Sequence, residues 1–383
     1  MMDLRRIAGW APALALAGCA GTAVPRTEPA PPPPAAAVEV SLFLVGDAGE
    51  PDPAGEPTLL ALRAAVSATA GERVVVFLGD NVYPRGLPDS ASLGRAEAER
   101  RLATQLAAVQ DLARVLLIPG NHDWAHGGDD GWAAVRRQGG FLAARGAVQL
   151  PGGGCPGPAV VDVGTRLRLV LIDTQWWLHA GPRPEGGNGG CVPGSRSGVV
   201  DSLRGALRDA GARHVAVLGH HPLATGGAHG GHFTWREHVF PLTETVPWLW
   251  LPLPVIGSAY PLARQNGWSD QDLSGRRNKE LRDSLAAAFA DRRPLVYVAG
   301  HEHTVQVLDG GAARHLIVSG AGRFAHTSHV AAIAGTRFAA SVGGFARLDV
   351  LADGRVRLSV ILADATGRGE ERFSMWLDTT AGP

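Results

Sequence analysis

Ten side chains in this sequence share one setting. Asp47, Asp80, Tyr83, Asn121, His122, Asp123, His220, His221, His301 and His303 each follow closely on a glycine that ends a short apolar run. The pattern recurs five times: Leu42 to Asp47, Val74 to Asp80, Val115 to His122, Val215 to His221 and Val296 to His303. One aspartate after a strand-ending glycine is an ordinary turn or helix-cap residue; repetition turns such exits into a donor set. Carboxylate oxygens and imidazoles together suit two adjacent divalent or trivalent ions, and such a pair clamps the attacking and leaving oxygens of an in-line displacement. Asp80 is the natural bridge because its two oxygens can each take one ion, and Asn121 offers a neutral carbonyl. His301 and His303, two residues apart, are expected to point the same way from an extended strand end and to address one ion each.

These groups need strands that end on one edge. The β-branched run Val74 to Leu78 reads as a fully buried strand, and α/β proteins place their chemistry beyond the carboxyl ends of such strands. Val38 to Val45, Arg114 to Ile118, Leu167 to Asp173, His214 to Leu218 and Pro294 to Ala299 read likewise. Helices are expected over Pro57 to Ala70, Ser92 to Ala113, Val199 to Asp209 and Arg276 to Ala290, which gives the strand and helix alternation of an α/β sheet. Trp176-Trp177 reads as a loop that covers the surface or walls a pocket. Past His303 the pattern becomes hairpins: His315 to Ser319, then Gly344 to Leu351 and Arg355 to Leu362 across Asp353-Gly354.

Residues 224–275 break this rhythm. They hold His229, His232, His238 and the run Pro247-Trp248-Leu249-Trp250-Leu251-Pro252-Leu253-Pro254. Its prolines forbid a spanning helix, so the segment reads as a loop or lid with an aromatic patch facing membrane or substrate. Its three histidines read as solvated rather than as a metal-capturing tract.

With 383 residues, the chain can bury one large core or two modest ones. Lys+Arg and Asp+Glu balance at 36 each, so no global field recruits nucleic acid and none is expected as a stable partner. Three cysteines exclude a four-thiolate metal cluster. Arg5 and Arg6 followed by the apolar stretch Ile7 to Ala17 read as a secretory signal over residues 1–18. Leu16-Ala17-Gly18-Cys19 resembles the bacterial lipoprotein box; the alternative is ordinary cleavage near Ala20 to Ala23 with Cys19 discarded. Residues 19–37, rich in Pro and Ala, form a semi-rigid spacer. The expectation is an exported lipoprotein, anchored through lipidated Cys19, facing the periplasm or cell surface. There Cys155 and Cys191 either pair or stand as unrelated loop thiols.

The five blocks Gly46-Asp47-Ala48-Gly49, Gly79-Asp80-Asn81-Val82-Tyr83, Gly120-Asn121-His122, Val217-Leu218-Gly219-His220 and Gly300-His301-Glu302-His303 resemble the calcineurin-like metallophosphoesterases, and within them the purple acid phosphatases. The resemblance runs from about Ser41 to Leu351. It includes Val318-Ser319-Gly320-Ala321-Gly322, similar to a stretch of the small single-domain members. It implies an α/β (α+β) domain over 38–383, a four-layer α/β/β/α sandwich of two mixed sheets with a dinuclear metal site at the strand ends. The wider superfamily carries a histidine ligand two residues after its first aspartate, where this chain has Gly49. Tyr83 stands where purple acid phosphatases use a tyrosinate, whose phenol pKa a ferric ion lowers.

The resemblance assigns Asp47, Asp80, Tyr83 and His303 to the first ion, expected to be Fe(III). It assigns Asp80, Asn121, His220 and His301 to the second, expected to be Fe(II), Zn(II) or Mn(II). It makes His122 the group that hydrogen-bonds phosphate and protonates the leaving oxygen. His221 either assists or packs, and Asp123 either orients His122 or caps a helix. The implied reaction is hydrolysis of a small phosphoester by a metal-bound hydroxide, as an acid phosphatase-like phosphomonoesterase. Two alternatives stay open: a phosphodiesterase of nucleotides or envelope lipid-linked phosphates, and a non-catalytic metal-binding lipoprotein.

Overall fold

Along the first strand, neighbouring side chains enter two different cores: Leu42 and Leu44 face one, Phe43 and Val45 the other. A strand covered on both faces needs apolar residues on both, which is why these runs are continuous rather than alternating. The computed structural model describes residues 30–34, 37–244 and 248–377. The expected leader, Cys19 and most of the spacer lie outside them.

In chain order the first elements are β1 (Val38–Val45), α1 (Pro57–Ser67), β2 (Glu72–Phe77), α2 (Arg95–Val109), β3 (Arg114–Leu117), α3 (Gly131–Ala143) and β4 (Val148–Gln149). Next are β5 (Ala159–Val163), β6 (Leu167–Leu171), α4 (Thr174–Leu178), α5 (Arg196–Arg208) and β7 (His214–Leu218). The insertion contributes α6 (Trp235–Val239) and α7 (Ala259–Gln265). The remainder is α8 (Arg276–Phe289), β8 (Val296–Ala299), β9 (Val305–Asp309), β10 (His315–Ser319), β11 (Thr336–Ala340), β12 (Gly344–Leu351), β13 (Val356–Ala363) and β14 (Gly369–Leu377).

Two mixed sheets of seven strands result, ordered β14-β13-β12-β1-β2-β3-β4 and β11-β9-β10-β8-β7-β6-β5. Leu42, Val74, Val76 and Leu116 of the first sheet meet Leu169, Ala216, Leu218 and Val298 of the second in the central core. Outside the first sheet, Phe43, Val75 and Phe77 pack on Leu62 of α1 and Leu102 and Leu106 of α2. Outside the second, Val170, Val215 and Val217 pack on Leu203 of α5 and Leu281 and Leu285 of α8. This is the expected α/β/β/α sandwich. The parallel strands β1, β2 and β3 of one sheet and β7 and β8 of the other end on the same side, where every donor lies.

Trp176 and Trp177 correct the loop expectation: they form α4 and are fully buried, stacked edge-on at 5.9 Å. Asp173 starts that turn by accepting the Trp176 N–H. Helix α3 had no clear signature because Gly131, Gly139 and Gly140 dilute its propensity. Strand β14, beginning Gly-Glu-Glu-Arg, hides its pattern under the charges of a sheet edge. Cys155 and Cys191 are bonded, their Cα atoms 5.5 Å apart across 36 residues of sequence.

Candidate metal centre

Three of the donors sit on backbone that most residues avoid. Asp47 (φ 61°), Asp80 (φ 52°) and His301 (φ 69°) are left-handed, a conformation that costs of order 1–3 kcal/mol each and clusters at functional sites. It also corrects the expectation for the last block. His301 is bent rather than extended, so its ring and that of His303 diverge to different poles. Gly79 (φ 93°) is required at the exit of β2, since a Cβ there would lie 2.5 Å from His220 Nδ1 and 2.8 Å from Gly120 N.

At the first pole, Tyr83 Oη donates to Asp47 Oδ1 at 3.2 Å and stands 3.1 Å from His303 Nε2. His303 Nε2 is itself 3.5 Å from Asp47 Oδ1, and Asp47 Oδ2 accepts the His301 N–H at 2.8 Å. Gly49 leaves no space for a side chain: a Cβ would meet Asp80 O and Asn81 C at 2.4 Å. The missing imidazole is thus excluded by the very turn that delivers Asp80 and Tyr83. Burial and the charges of Asp47 and Asp80 push the Tyr83 phenol well above its usual range; a highly charged cation among these groups reverses that preference.

At the second pole, Asn121 Oδ1 lies 3.0 Å from both His220 Nε2 and His301 Nδ1. His220 Nδ1 donates to the Leu78 carbonyl at 2.8 Å and His301 Nε2 to the Gln271 carbonyl at 3.0 Å. Each neutral ring therefore turns its lone-pair nitrogen toward the Asn121 oxygen, with Asp80 Oδ1 3.5 Å from His220 Nε2. Lone pairs converging on one another are stable only around a positive charge, and backbone carbonyls fixing the far nitrogens are the usual support of metal-binding histidines. Without an ion a proton fills the role: burial opposes it, but Asp80 lifts His220 to about 9. Asp80, against its own burial, is held well below the carboxylate range by His220 and His122. The residues fit two ions, with Asp80 between the poles; Asp47, Asp80 and His220 form one compact group of potential ligands.

His122 is at the rim. Its Nδ1 donates to the Pro84 carbonyl at 2.6 Å, which leaves Nε2, 3.9 Å from Asp80 Oδ2, facing the site. Its ring stacks on His126, centroids 4.4 Å apart. Asp123 does not orient it, a correction to one of the two expected roles. Instead the buried Asp123 carboxylate accepts the N–H groups of Asn81, Val82 and Gly120 and the Asn81 amide, all within 3.2 Å. It ties the β2 and β3 exits together. His221 has neither nitrogen to spare: Nδ1 takes the Thr174 hydroxyl and Nε2 donates to Gln271 Oε1, both at 2.8 Å. Though His221 lies close to His220 and His301, it packs, and burial keeps it well below the usual imidazole range.

Two residues of the insertion belong to the site. His229, read from sequence as solvated, lies with its ring 4.0 Å from that of His301. Its Nδ1 meets Asp272 at 2.8 Å and its backbone N–H is held by Glu302 at 3.0 Å. Gln271 supports His301 through its carbonyl and His221 through its amide oxygen. Their only sequence signal is that the insertion begins directly after His221.

A family model described as calcineurin-like phosphoesterase matches residues 41–305. No curated protein matches the chain. Among solved structures, a purple acid phosphatase, PPD1, from yellow lupin seeds (Lupinus luteus) aligns with a TM-score of 0.54 at 13% identity, over 90% of this chain and 55% of that one. PhoD gives 0.54 at 10% identity over 88% and 69%. GAP50, described as the anchor in the inner membrane complex of Plasmodium, gives 0.52 at 14% identity over 90% of each chain. At these identities the likeness shows the shared fold alone. With the family match covering most of the chain and a two-pole donor set at its strand ends, this protein belongs to the calcineurin-like phosphoesterases, metal-dependent hydrolases of phosphoesters.

Proposed function

We propose that the chain is a purple acid phosphatase-like phosphomonoesterase, with Tyr83 a phenolate ligand of Fe(III) and Fe(II), Zn(II) or Mn(II) at the Asn121 pole. One observation carries this reading: the turn that closes position 49 to any side chain places Tyr83 Oη between Asp47 and His303. When bound, the two ions supply Lewis-acid polarisation of the phosphoryl group and lower the pKa of water. The chain's own residues do the rest. Asp47, Asp80, Tyr83 and His303 hold the first ion, and Asp80, Asn121, His220 and His301 the second. His122, fixed by Pro84, presents Nε2 to donate to a phosphoryl oxygen and to hand a proton to the leaving alcohol. His229 presents a second imidazole beside His301. A dianionic monoester is the phosphoester whose charge such donors would best meet.

We read the chain as an exported lipoprotein anchored at Cys19; the bonded Cys155 and Cys191 support an oxidising compartment. The test is the colour of the iron-loaded protein. A tyrosinate on Fe(III) gives a visible charge-transfer band, and Tyr83→Phe should bleach it and weaken iron binding. An iron-loaded, oxidised protein with no band, or a band that survives Tyr83→Phe, would refute the ligand assignment. Turnover of a monoester dye over a diester dye checks the substrate class, and the reverse preference would favour the phosphodiesterase.

A further inference from the structure

The insertion reaches the metal centre with one side and exposes an aromatic surface with another. Trp235 (65% exposed), Trp248 (77%), Trp250 (56%), Val255 (87%), Ile256 (73%) and Trp268 (71%) all project from it. They belong to one unit. Trp235 and Trp250 both pack on Phe240, at 6.4 and 5.3 Å, and Leu253 N–H donates to Val239 O at 2.7 Å, joining the Trp-rich loop to α6. From Phe240 to Ala263 the sequence carries a single charged residue, Glu244. Monomeric soluble proteins rarely leave such a surface in water.

We propose that this face docks on the surface of a phospholipid bilayer and that the hydrolase acts there on phosphoesters whose alcohol is anchored in the membrane. The second half rests on the hydrolase reading above; the docking does not. Tryptophans are the residues that settle at a membrane interface, where the ring is apolar and the N–H meets headgroups. Among the described residues no helix is long and apolar enough to cross a membrane; the contact proposed is one along the bilayer surface. Geometry points the same way. Ala30 is held against β14 by the Ser374 carbonyl and against β13 by Arg357. The stretch from Cys19 to Ala30 reaches at most about 40 Å, against a radius of gyration of about 20 Å for a domain of this size. An anchor at Cys19 would therefore tether the domain close enough to the bilayer for its surface to meet it.

The docked insertion would join the bilayer surface to the metal centre, because His229 and Gln271, which touch His301, belong to it. Hydrolysis there adds water across the ester: its oxygen joins phosphorus, the bond from phosphorus to the lipid alcohol's oxygen breaks, and a proton ends on that oxygen.

The experiment uses the mature chain from residue 19, without the apolar leader and with Cys19→Ser, so that only the protein surface can bind lipid. The probes are vesicles of phosphatidylethanolamine and phosphatidylglycerol, with and without phosphatidic acid. This protein should float with the vesicles, and adding Trp248→Ser, Trp250→Ser and Trp268→Ser should weaken binding at least tenfold. Turnover of vesicle phosphatidic acid should fall as much, while turnover of soluble p-nitrophenyl phosphate stays unchanged. Absence of vesicle binding by the Cys19→Ser protein, or binding that survives the three substitutions, overturns the docking. So does a dimer that fails to bind vesicles and that the substitutions split, since the face then covers a second copy. A vesicle-bound, dye-active protein that leaves phosphatidic acid intact overturns the substrate. A protein that binds vesicles but hydrolyses neither compound leaves docking standing and refutes the hydrolase reading instead.

Discussion

The two poles of the metal centre are held by different means. Asp47, Asp80 and Tyr83 hang from the exits of β1 and β2, and their support comes from the same loops: left-handed backbone, the close fit at Gly49 and the Asp123 carboxylate gathering neighbouring N–H groups. His220 and His301 leave the other sheet. His301 takes its orientation from Gln271, far away in sequence, and His229 comes from the same insertion. At the first pole, strain and buried hydrogen bonds within those loops fix Asp47 and Asp80, whereas His301 adds to its own left-handed backbone a bond to the insertion. The second is as firm as the insertion's root, a network of Arg264, Asp272 and His229. In this chain the second wall of the site thus depends on the insertion, and the first does not.

Substitutions can separate the poles. The largest effect is expected from Asp80→Ala, which removes a ligand from both. Both ions should be lost and turnover should drop at least about 10³-fold, the scale on which a transition-state charge stabiliser is felt; metal analysis and dye turnover read this, and retained metal with normal turnover would break the two-pole assignment. His122→Ala should by contrast keep the metals and lower kcat, because its contact belongs to the transition state. Next comes Asp272→Asn at the insertion root. Metal affinity at the second pole or turnover should fall about 10- to 100-fold, as for other groups that support metal-binding histidines, while the Tyr83-dependent colour persists. Bleaching in that variant would show that the poles are not independently supported.

The smallest effect is one of pH. Burial pushes Asp173, which starts α4 beside the His221-binding Thr174, up to about 7. The folded chain therefore holds a proton there that the unfolded chain, with its ordinary carboxyl pKa, releases near 4. Stability falls as pH rises through this window, by up to roughly 1 kcal/mol per pH unit. Asp173→Asn should therefore gain Tm relative to the parent at pH 7.5 but not at pH 4.5. An equal change at both pH values would mean that Asp173 is ionised throughout.

Sequence alone determined the buried strands and the donors at their exits because both follow from local rules, whereas the sandwich and the sharing of donors between two ions came from the resemblance to a family. Continuous apolar runs mark strands covered on both faces, and a glycine followed by a donor marks each exit. The exchange of one ligand for another at Gly49 and Tyr83 was legible only against the family's pattern. The roles of Asp123 and His221 were not legible, since each is decided by which buried N–H, hydroxyl or amide happens to face it. Asp123 gathers donors from two loops, and His221 is used up by Thr174 and Gln271. His229 was the furthest from reach. In the sequence it is one histidine among three in a Gly- and Pro-rich loop. Only the folding of that loop onto Glu302 and Asp272 brings its ring against His301, a contact that spans 72 positions and has no periodicity to announce it.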